Sequence, residues 1–433
     1  MDILFSSLNY LVYSALAVFF LFVSLNSFRD GYTRAGRVAG LFSLLPALIC
    51  FFFHGWSFFH LTGPVFLLIL ISVPIAGFRD KLLLPERRFD ERDISFSRYR
   101  LKPGSENYTS YYGKNPEKEE SDKRTRALPG LLAEKSRYFH RLNSVAADAR
   151  FFLLNQLRNS VDGPVAKETG NNSTREIADY LYSTAIDDSV SIYGTASLKP
   201  EHCYSHVGRG AGQYGEEITV NHRYAIVLGS EMKPRITATA PMSPEVVETG
   251  RRYVDCAVWA VQTASFIRSL GYSARAHIDG NYQVIPPFVA DEAGLGGFGW
   301  SNLFLTEKFG PRVRYSVVTT DLELPLPNKR KKIDFLSFCS ICRKCATCCP
   351  SRAINPDSLE KLDSDRCFMY WNAVGTDCGK CLAVCPMGHP WGILKTLALR
   401  SMPAAWLLKK LDDLFYGKKP GSLPLPGWME TEK

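Results

Sequence analysis

The segment FCSICRKCATCCP, Phe338 to Pro350, places five cysteines within eleven positions, and its reading governs that of the whole chain. Nine of the twelve cysteines lie between Cys339 and Cys385. In a disulfide scaffold they would be spread through a small secreted chain; focused into one segment of 433 residues, they point to metal.

The spacing narrows the choice. Cys339, Cys342, Cys345 and Cys349, followed by Pro350, form C-x2-C-x2-C-x3-C-P. Three such thiolates wrap one iron–sulfur cubane while the fourth, directed away by the proline, ligates the other cluster of a pair. A second motif supplies the complement: Cys367, then Cys378, Cys381 and Cys385 with Pro386. Crossed ligation assigns one cubane to Cys339, Cys342, Cys345 and Cys385, and the other to Cys349, Cys367, Cys378 and Cys381. The expectation is two 4Fe-4S clusters in a bacterial-type ferredoxin module over residues 331–395. Structural zinc is the competing metal, and it does not require this crossed spacing. Cys348 is spare; Cys50, Cys203 and Cys256 read as small buried hydrophobes.

Working outward, the N-terminal region is apolar. No charged residue occurs from Ile3 to Phe28, and none from Val38 to Phe78 apart from the titratable His54 and His60. A spanning helix needs roughly 20 mostly apolar residues, so three are expected, near 8–28, 38–54 and 59–78. The turn between the last two falls at HGWSFFH, where His54, Gly55, Trp56 and His60 suit an interface. A cleaved signal peptide would need a basic segment before the apolar run, which is missing. Arg29, Arg34 and Arg37 follow the first helix, and Arg79, Lys81, Arg87 and Arg88 follow the third. By the positive-inside rule both loops face the cytoplasm. The expectation is a multi-pass anchor, residues 1–79, in the lipid of the inner membrane, with the body on the cytoplasmic side.

Lys and Arg outnumber Asp and Glu by 52 to 43, yet no basic run or RNA-type aromatic motif stands out, and no nucleic-acid partner is expected. Residues 80–130, with KNPEKEESDKRTR at their centre, read as a solvated linker. Beyond them, EKSRYFHRLNSVAADARFFLLNQL and TREIADYLYSTA have helical patterning, and DSVSIYG, YAIVLGS and Val313–Thr319 read as strands. Val254, Val258, Val261, Ala264 and Ile267 recur at helical spacing between Pro244 and Leu270, with Gly271 at the C-cap. Strands alternating with helices predict an α/β domain with a mixed sheet, residues 131–330, and a C-terminal segment, 396–433, packed on the core.

The stretch IPPFVADEAGLGGFGWSNLFLTEKFGPRVRYSVVTTDLELP, Ile285 to Pro325, resembles the signature region of the corrinoid iron–sulfur reductive dehalogenases. The shared features are Gly294, Leu295, Gly296 and Gly297, then Gly310 to Arg314, then Thr319 to Leu324. The resemblance continues through DRCFMYWNAVGTDCGKCLAVCP to LDDLFYGKKP and covers roughly residues 175–420. It implies a nitroreductase-like core holding a base-off cobalamin beside a cubane, contacted by Gly294, Leu295, Gly296, Gly297, Thr319 and Thr320. A small organic substrate, halogenated or otherwise, would be reduced at cobalt, with electrons from a quinol, a ferredoxin or a flavoprotein. No histidine ligates cobalt in that family, and His277 reads as structural.

Three departures stand out. The anchor resembles the family's separate three-helix subunit fused to the catalytic chain. The strand that commonly leads to an EMDY-like proton donor is followed here by Glu231, Met232, Lys233 and Pro234, and Pro234 has no proton to give. Trp300 stands where a cation usually assists that donor. The chain more distantly resembles epoxyqueuosine reductase, which uses an aspartate upstream of the glycine turn. Asp279, in RAHIDGNYQ, lies near that place, and a desolvated carboxylic acid can hold a proton. Tyr282 is the other candidate donor, although both residues could simply pack the loop after Arg275. No helical RNA-binding extension follows the ferredoxin module. A membrane-tethered electron-transfer or corrinoid-handling protein without turnover is the alternative from another class.

Overall fold

The computed structural model of the chain describes residues 2–53, 59–72, 87–210, 212–327, 333–358 and 362–425. Four strands form its central sheet: β1 (Ile192–Ser197), β2 (Tyr224–Glu231), β3 (Ala274–His277) and β6 (Val313–Thr320), in the order β1-β2-β6-β3. Between β3 and β6 the hairpin β4 (Gly296–Phe298) and β5 (Phe304–Thr306) stands apart from the sheet.

Every neighbouring pair in the four-stranded sheet is antiparallel, with Val227 opposite Val317 and Ala276 opposite Val318. The mixed sheet expected from the alternation of strands and helices is therefore corrected. The β2–helix–β3 crossover does leave β2 and β3 running the same way, but β6 inserts between them and pairs with both. Alternation reports a crossover; it does not report what later fills the gap.

The crossover helix lies on this sheet. With the helices used here numbered in chain order, the N-terminal region holds α1 (Asp2–Arg29), α2 (Thr33–Phe53) and α3 (Phe59–Ser72); α4 (Ser95–Tyr99), α5 (Glu106–Lys114) and α6 (Pro116–Arg126) follow, then α7 (Arg141–Leu157), α8 (Thr174–Asp187) and α9 (Pro244–Ser269). Pro244 opens α9, where a missing N–H costs nothing, and Gly271, at φ +86°, closes it. Its buried face of Ala257, Ala260, Ala264 and Ile267 packs with Ile226, Leu228, Ala276 and Val318 of the sheet. Three alanines in four positions let the helix lie close to the strands.

Residues 87–130 are not a solvated linker. Arg98 is fully buried, its Nε 2.7 Å from Asp122 Oδ2, and its other end pairs with Asp365. Tyr108, Tyr111 and Tyr112 form a small cluster around Leu101. Asp122 of the charged run turns inward to Arg98 while most of its neighbours stay exposed, and tyrosines supply the apolar surface that aliphatic residues supply elsewhere.

α1 and α2 are long and apolar enough to cross a membrane. α3 covers 14 residues, and the expected extension to 78, the interfacial turn at His54–Trp56 and the basic residues Arg79 and Lys81 lie outside the described residues. So do the expected boundaries at 79–80 and 330–331. Leu11, Val18, Leu41, Phe51 and Phe52 are among the many exposed apolar side chains of α1 and α2. Their inner faces, with Leu70 of α3, belong to the core of the cysteine-rich half: Val23, Ala35, Ala39 and Leu70 pack in one cluster with Phe335, Phe338, Trp391 and Phe415.

Candidate functional site

Two turns of backbone set the cysteines. Helix α10 (Phe335–Cys342), with Asp334 as its N-cap, carries Cys339 and Cys342 and ends at Arg343 in the left-handed region. The second motif turns at Cys378 and Gly379, both at positive φ. Burial raises the thiol pKa of Cys339, Cys367 and Cys378 to about 12 and that of Cys385 to about 11. Repulsion between neighbouring thiolates adds to this, and it sorts the residues into two groups. Cys339, Cys342 and Cys345 feel one another or Cys385; Cys367, Cys378 and Cys381 feel one another or Cys349. Cys345 and Cys381 also sense each other, so the two groups adjoin.

No set of three ligating side chains converges at metal-binding geometry among the described residues. The donor chemistry still fits two thiolate-ligated clusters, since seven of the eight thiols, in two adjoining groups, are driven to stay protonated unless a cation compensates them. Cys348 donates weakly to the Lys418 carbonyl and appears in neither group. Cys203 and Cys256 are buried, Cys203 in an apolar cluster.

A cavity of about 520 Å³ lies between the sheet, α9 and the second cysteine loop. Both sequence-derived donor candidates, Tyr282 and Asp279, are on its wall, and Asp377 and Leu382 bring the cysteine loop to it. Tyr282 is buried, its phenol pushed well above 10 by burial, and its hydroxyl donates to the Tyr315 carbonyl at 2.9 Å. Asp279 is half-buried, with the guanidiniums of Arg100, Arg158 and Arg209 around it, and its carbonyl accepts from Arg158 Nε at 3.1 Å. That setting suits a countercharge.

Sequence reasoning missed Tyr253. It sits on the face of α9 turned to the cavity, with the Arg314 guanidinium 5.2 Å from its ring centroid. Burial pushes its phenol up to about 12, with Arg314 opposing. Helical spacing placed this residue on α9 but could not show that this face of the helix meets a cavity.

The glycine turn has a packing role. Gly294, Leu295, Gly296, Gly297, Thr319 and Thr320 are absent from the cavity wall. A Cβ on Gly296 would meet the Leu305 carbonyl at 1.9 Å, and one on Gly297 the Ile333 carbonyl at 2.5 Å. The glycines let β4 press against β5 and against the chain entering α10. Leu295 packs over Gly194. Thr319 joins a buried chain: Arg275 and the Gln283 N–H donate to His277 Nδ1, so His277 Nε2–H donates to Thr319 Oγ1 at 2.8 Å. Burial, then Arg275, keeps His277 neutral, and it is structural as expected. Thr320 donates to the Ser273 carbonyl. Pro234 opens a short helix beyond β2, and Trp300 donates to the Asn355 carbonyl beneath the Arg343 guanidinium.

No family model matches the chain. Over 165 residues it is 39% identical to a tetrachloroethene reductive dehalogenase of Desulfitobacterium hafniense, covering 33% of this chain and 29% of that one. Over 183 residues it is 35% identical to the tetrachloroethene reductive dehalogenase of Sulfurospirillum multivorans, covering 38% and 36%. A more distant match, 29% over 147 residues, is to an epoxyqueuosine reductase of Francisella cf. novicida, covering 30% and 39%. Among solved structures, the catabolic reductive dehalogenase NpRdhA in complex with 3-bromo-4-hydroxybenzoic acid superposes with a TM-score of 0.61 at 21% identity, over 80% of this chain and 49% of that one. A second reductive dehalogenase superposes at 0.57 and 23% identity, over 70% and 46%. The matches thus span about a third of the curated relatives and under half of the solved chains. The likeness to reductive dehalogenases is shown in both sequence and fold.

Proposed function

We propose that the chain is a corrinoid- and iron–sulfur-dependent reductase of the reductive-dehalogenase type, anchored in the inner membrane through its N-terminal helices, with the body in the cytoplasm. One observation carries this reading: the 520 Å³ cavity is walled on one side by tyrosines, Tyr253 and Tyr282 among them, and on another by the loop that holds Cys378 and Cys381. A corrinoid bound there would supply a strongly reducing centre for breaking a carbon–halogen bond, refilled one electron at a time through the two clusters.

The protein's own part is to hold a proton and exclude water. Tyr253 is the better placed donor, because no hydrogen bond to another described residue commits its hydroxyl, whereas Tyr282 is tied to the Tyr315 carbonyl. The cation over its ring stabilises a phenolate as the proton leaves. Tyr282 then supports the wall beside it, and Asp279 balances the arginines at the rim.

The test is metal content and electron paramagnetic resonance on protein purified without oxygen from a corrinoid-supplied host. About eight irons, as two cubanes require, together with one cobalt per chain and a base-off Co(II) signal, support the reading. Iron without cobalt after reconstitution overturns it in favour of a tethered electron carrier.

A further inference from the structure

A groove of about 280 Å³ lies between α8 and α9 and shares no lining residue with the 520 Å³ cavity. Its walls follow from helical spacing. Ile177, Ala178 and Leu181 turn one face of α8 into the core, while Tyr180, Thr184 and Asp188, each four positions on, run along the groove. Trp259 and Phe266 of α9 form the facing wall, and Tyr193 of β1 meets them from the sheet. Tyr180 stacks on Phe266, with ring centroids 5.3 Å apart and 19° between the planes, and Tyr182 braces Tyr193 edge-on.

The charge around these four rings has one sign. No Lys or Arg lines the groove among the described residues, and Arg175, at the far end of α8, is already paired with Asp179. α8 ends at Asp187 and the chain reverses at Ser189, φ +59°, so the negative end of the helix dipole falls beside the Asp188 carboxylate. Together they repel an anion. A bare metal ion would want several oxygens at short range, whereas aromatic rings attract a large, weakly hydrated cation through their quadrupoles. The volume falls below the roughly 300–1,000 Å³ typical of drug-sized ligands, which suits a compact head. Tyr180 is 58% exposed, so the rings are open to a ligand from solvent.

We propose that this groove binds a small organic cation of the quaternary ammonium class, with its alkylated nitrogen among Tyr180, Tyr193, Trp259 and Phe266 and its charge balanced by Asp188. The binding does not depend on the cofactors proposed above.

The test uses the full chain in a non-ionic detergent, with choline as the probe and its N-methyl proton resonance as the readout. Saturable broadening is expected at constant ionic strength. The neutral isostere 3,3-dimethylbutan-1-ol, which keeps the shape and lacks the charge, should bind about tenfold more weakly or worse. Tyr180→Ala and Asp188→Asn, both at exposed positions, should each weaken choline binding about threefold or more, as loss of one ring or one charge at a partly exposed site requires. Melting followed by circular dichroism establishes that each variant is folded, and the isostere comparison on the parent chain decides the matter without them. Broadening that does not saturate, an isostere that binds as well as choline, or a folded variant that binds like the parent chain overturns the proposal. Self-association of the chain that Tyr180→Ala abolishes, without a choline signal, also overturns it and makes this face an interface between copies.

Discussion

Arg314 Nη2 lies 3.2 Å from Asp377 Oδ2 and 2.8 Å from Thr249 Oγ1, joining β6, α9 and the residue before Cys378 at one corner of the large cavity. Thr249 in turn donates to the same Asp377 oxygen at 2.6 Å. The sheet that shapes the cavity and the loop that carries the cysteines are thereby held in one register.

Removing one partner of this buried pair should be costly. Arg314→Met leaves Asp377 without its countercharge, and a loss of about 3–5 kcal/mol is expected. In denaturant unfolding, the double variant with Asp377→Leu should recover part of that loss. Additive losses would show that the two side chains act independently.

Tyr253→Phe should lower the substrate-reduction rate by about 10²–10⁴-fold, the range of a lost general acid. Iron and cobalt content should be unchanged. Tyr282→Phe should lower it only a few-fold through loss of the Tyr315 contact. A reversed order would move the donor role to Tyr282.

Tyr253 also makes a pH prediction. Its phenol is raised from 10 to about 12 in the folded chain, chiefly by burial. Its contribution is present below pH 10 and lost as pH rises from 10 through 12, because the unfolded chain gives up the proton first. Between pH 10 and 12 the stability of Tyr253→Phe should fall less steeply than that of the parent chain.

Asp412 is the hub of the cysteine-rich half. It receives His389, the Trp391 indole at 2.9 Å and Lys344, and although burial opposes its charge, His389 and Lys344 bring it down to about 2. This contribution is present above the usual carboxylate pKa of about 4 and is lost as pH falls from there through 2. Asp412→Asn should cost several kcal/mol, about 3–5 by the rule for broken buried pairs. It should also shallow the acid limb of a pH–stability curve.

The N-terminal helices and the cysteine-rich half should be energetically coupled. Phe415 packs against Phe20 and Phe42, and Ser27 Oγ lies 2.7 Å from the Tyr416 hydroxyl. Phe415→Ala should cost about 3–5 kcal/mol, and Ser27→Ala about 1 kcal/mol. If the N-terminal helices were an independent tether, Ser27→Ala would not shift the melting of the body.

Much of this was legible from residue order alone. Thiol spacing reports local wrapping, apolar runs report bilayer length, and the caps at Pro244 and Gly271 bound α9, because each of these depends on neighbours within a few positions. The limits were set by distance along the chain. Residues 87–130 looked solvated because Arg98 meets Asp122 and Asp365 only after folding. The glycine turn looked like a ligand cradle, yet its nearest obstacles are the Leu305 and Ile333 carbonyls.

By itself, then, the sequence determined the eight-cysteine pattern, the apolar N-terminal helices, the α/β class and the presence of Tyr282 and Asp279 near one site. Only the tertiary structure decided that β6 divides β2 from β3, that Tyr253 faces the cavity, and that His389 meets the α1–α2 turn. The physical reason is the same in each case. A periodic pattern fixes which face of an element is buried, while the identity of what covers that face is set by chain segments tens to hundreds of residues away.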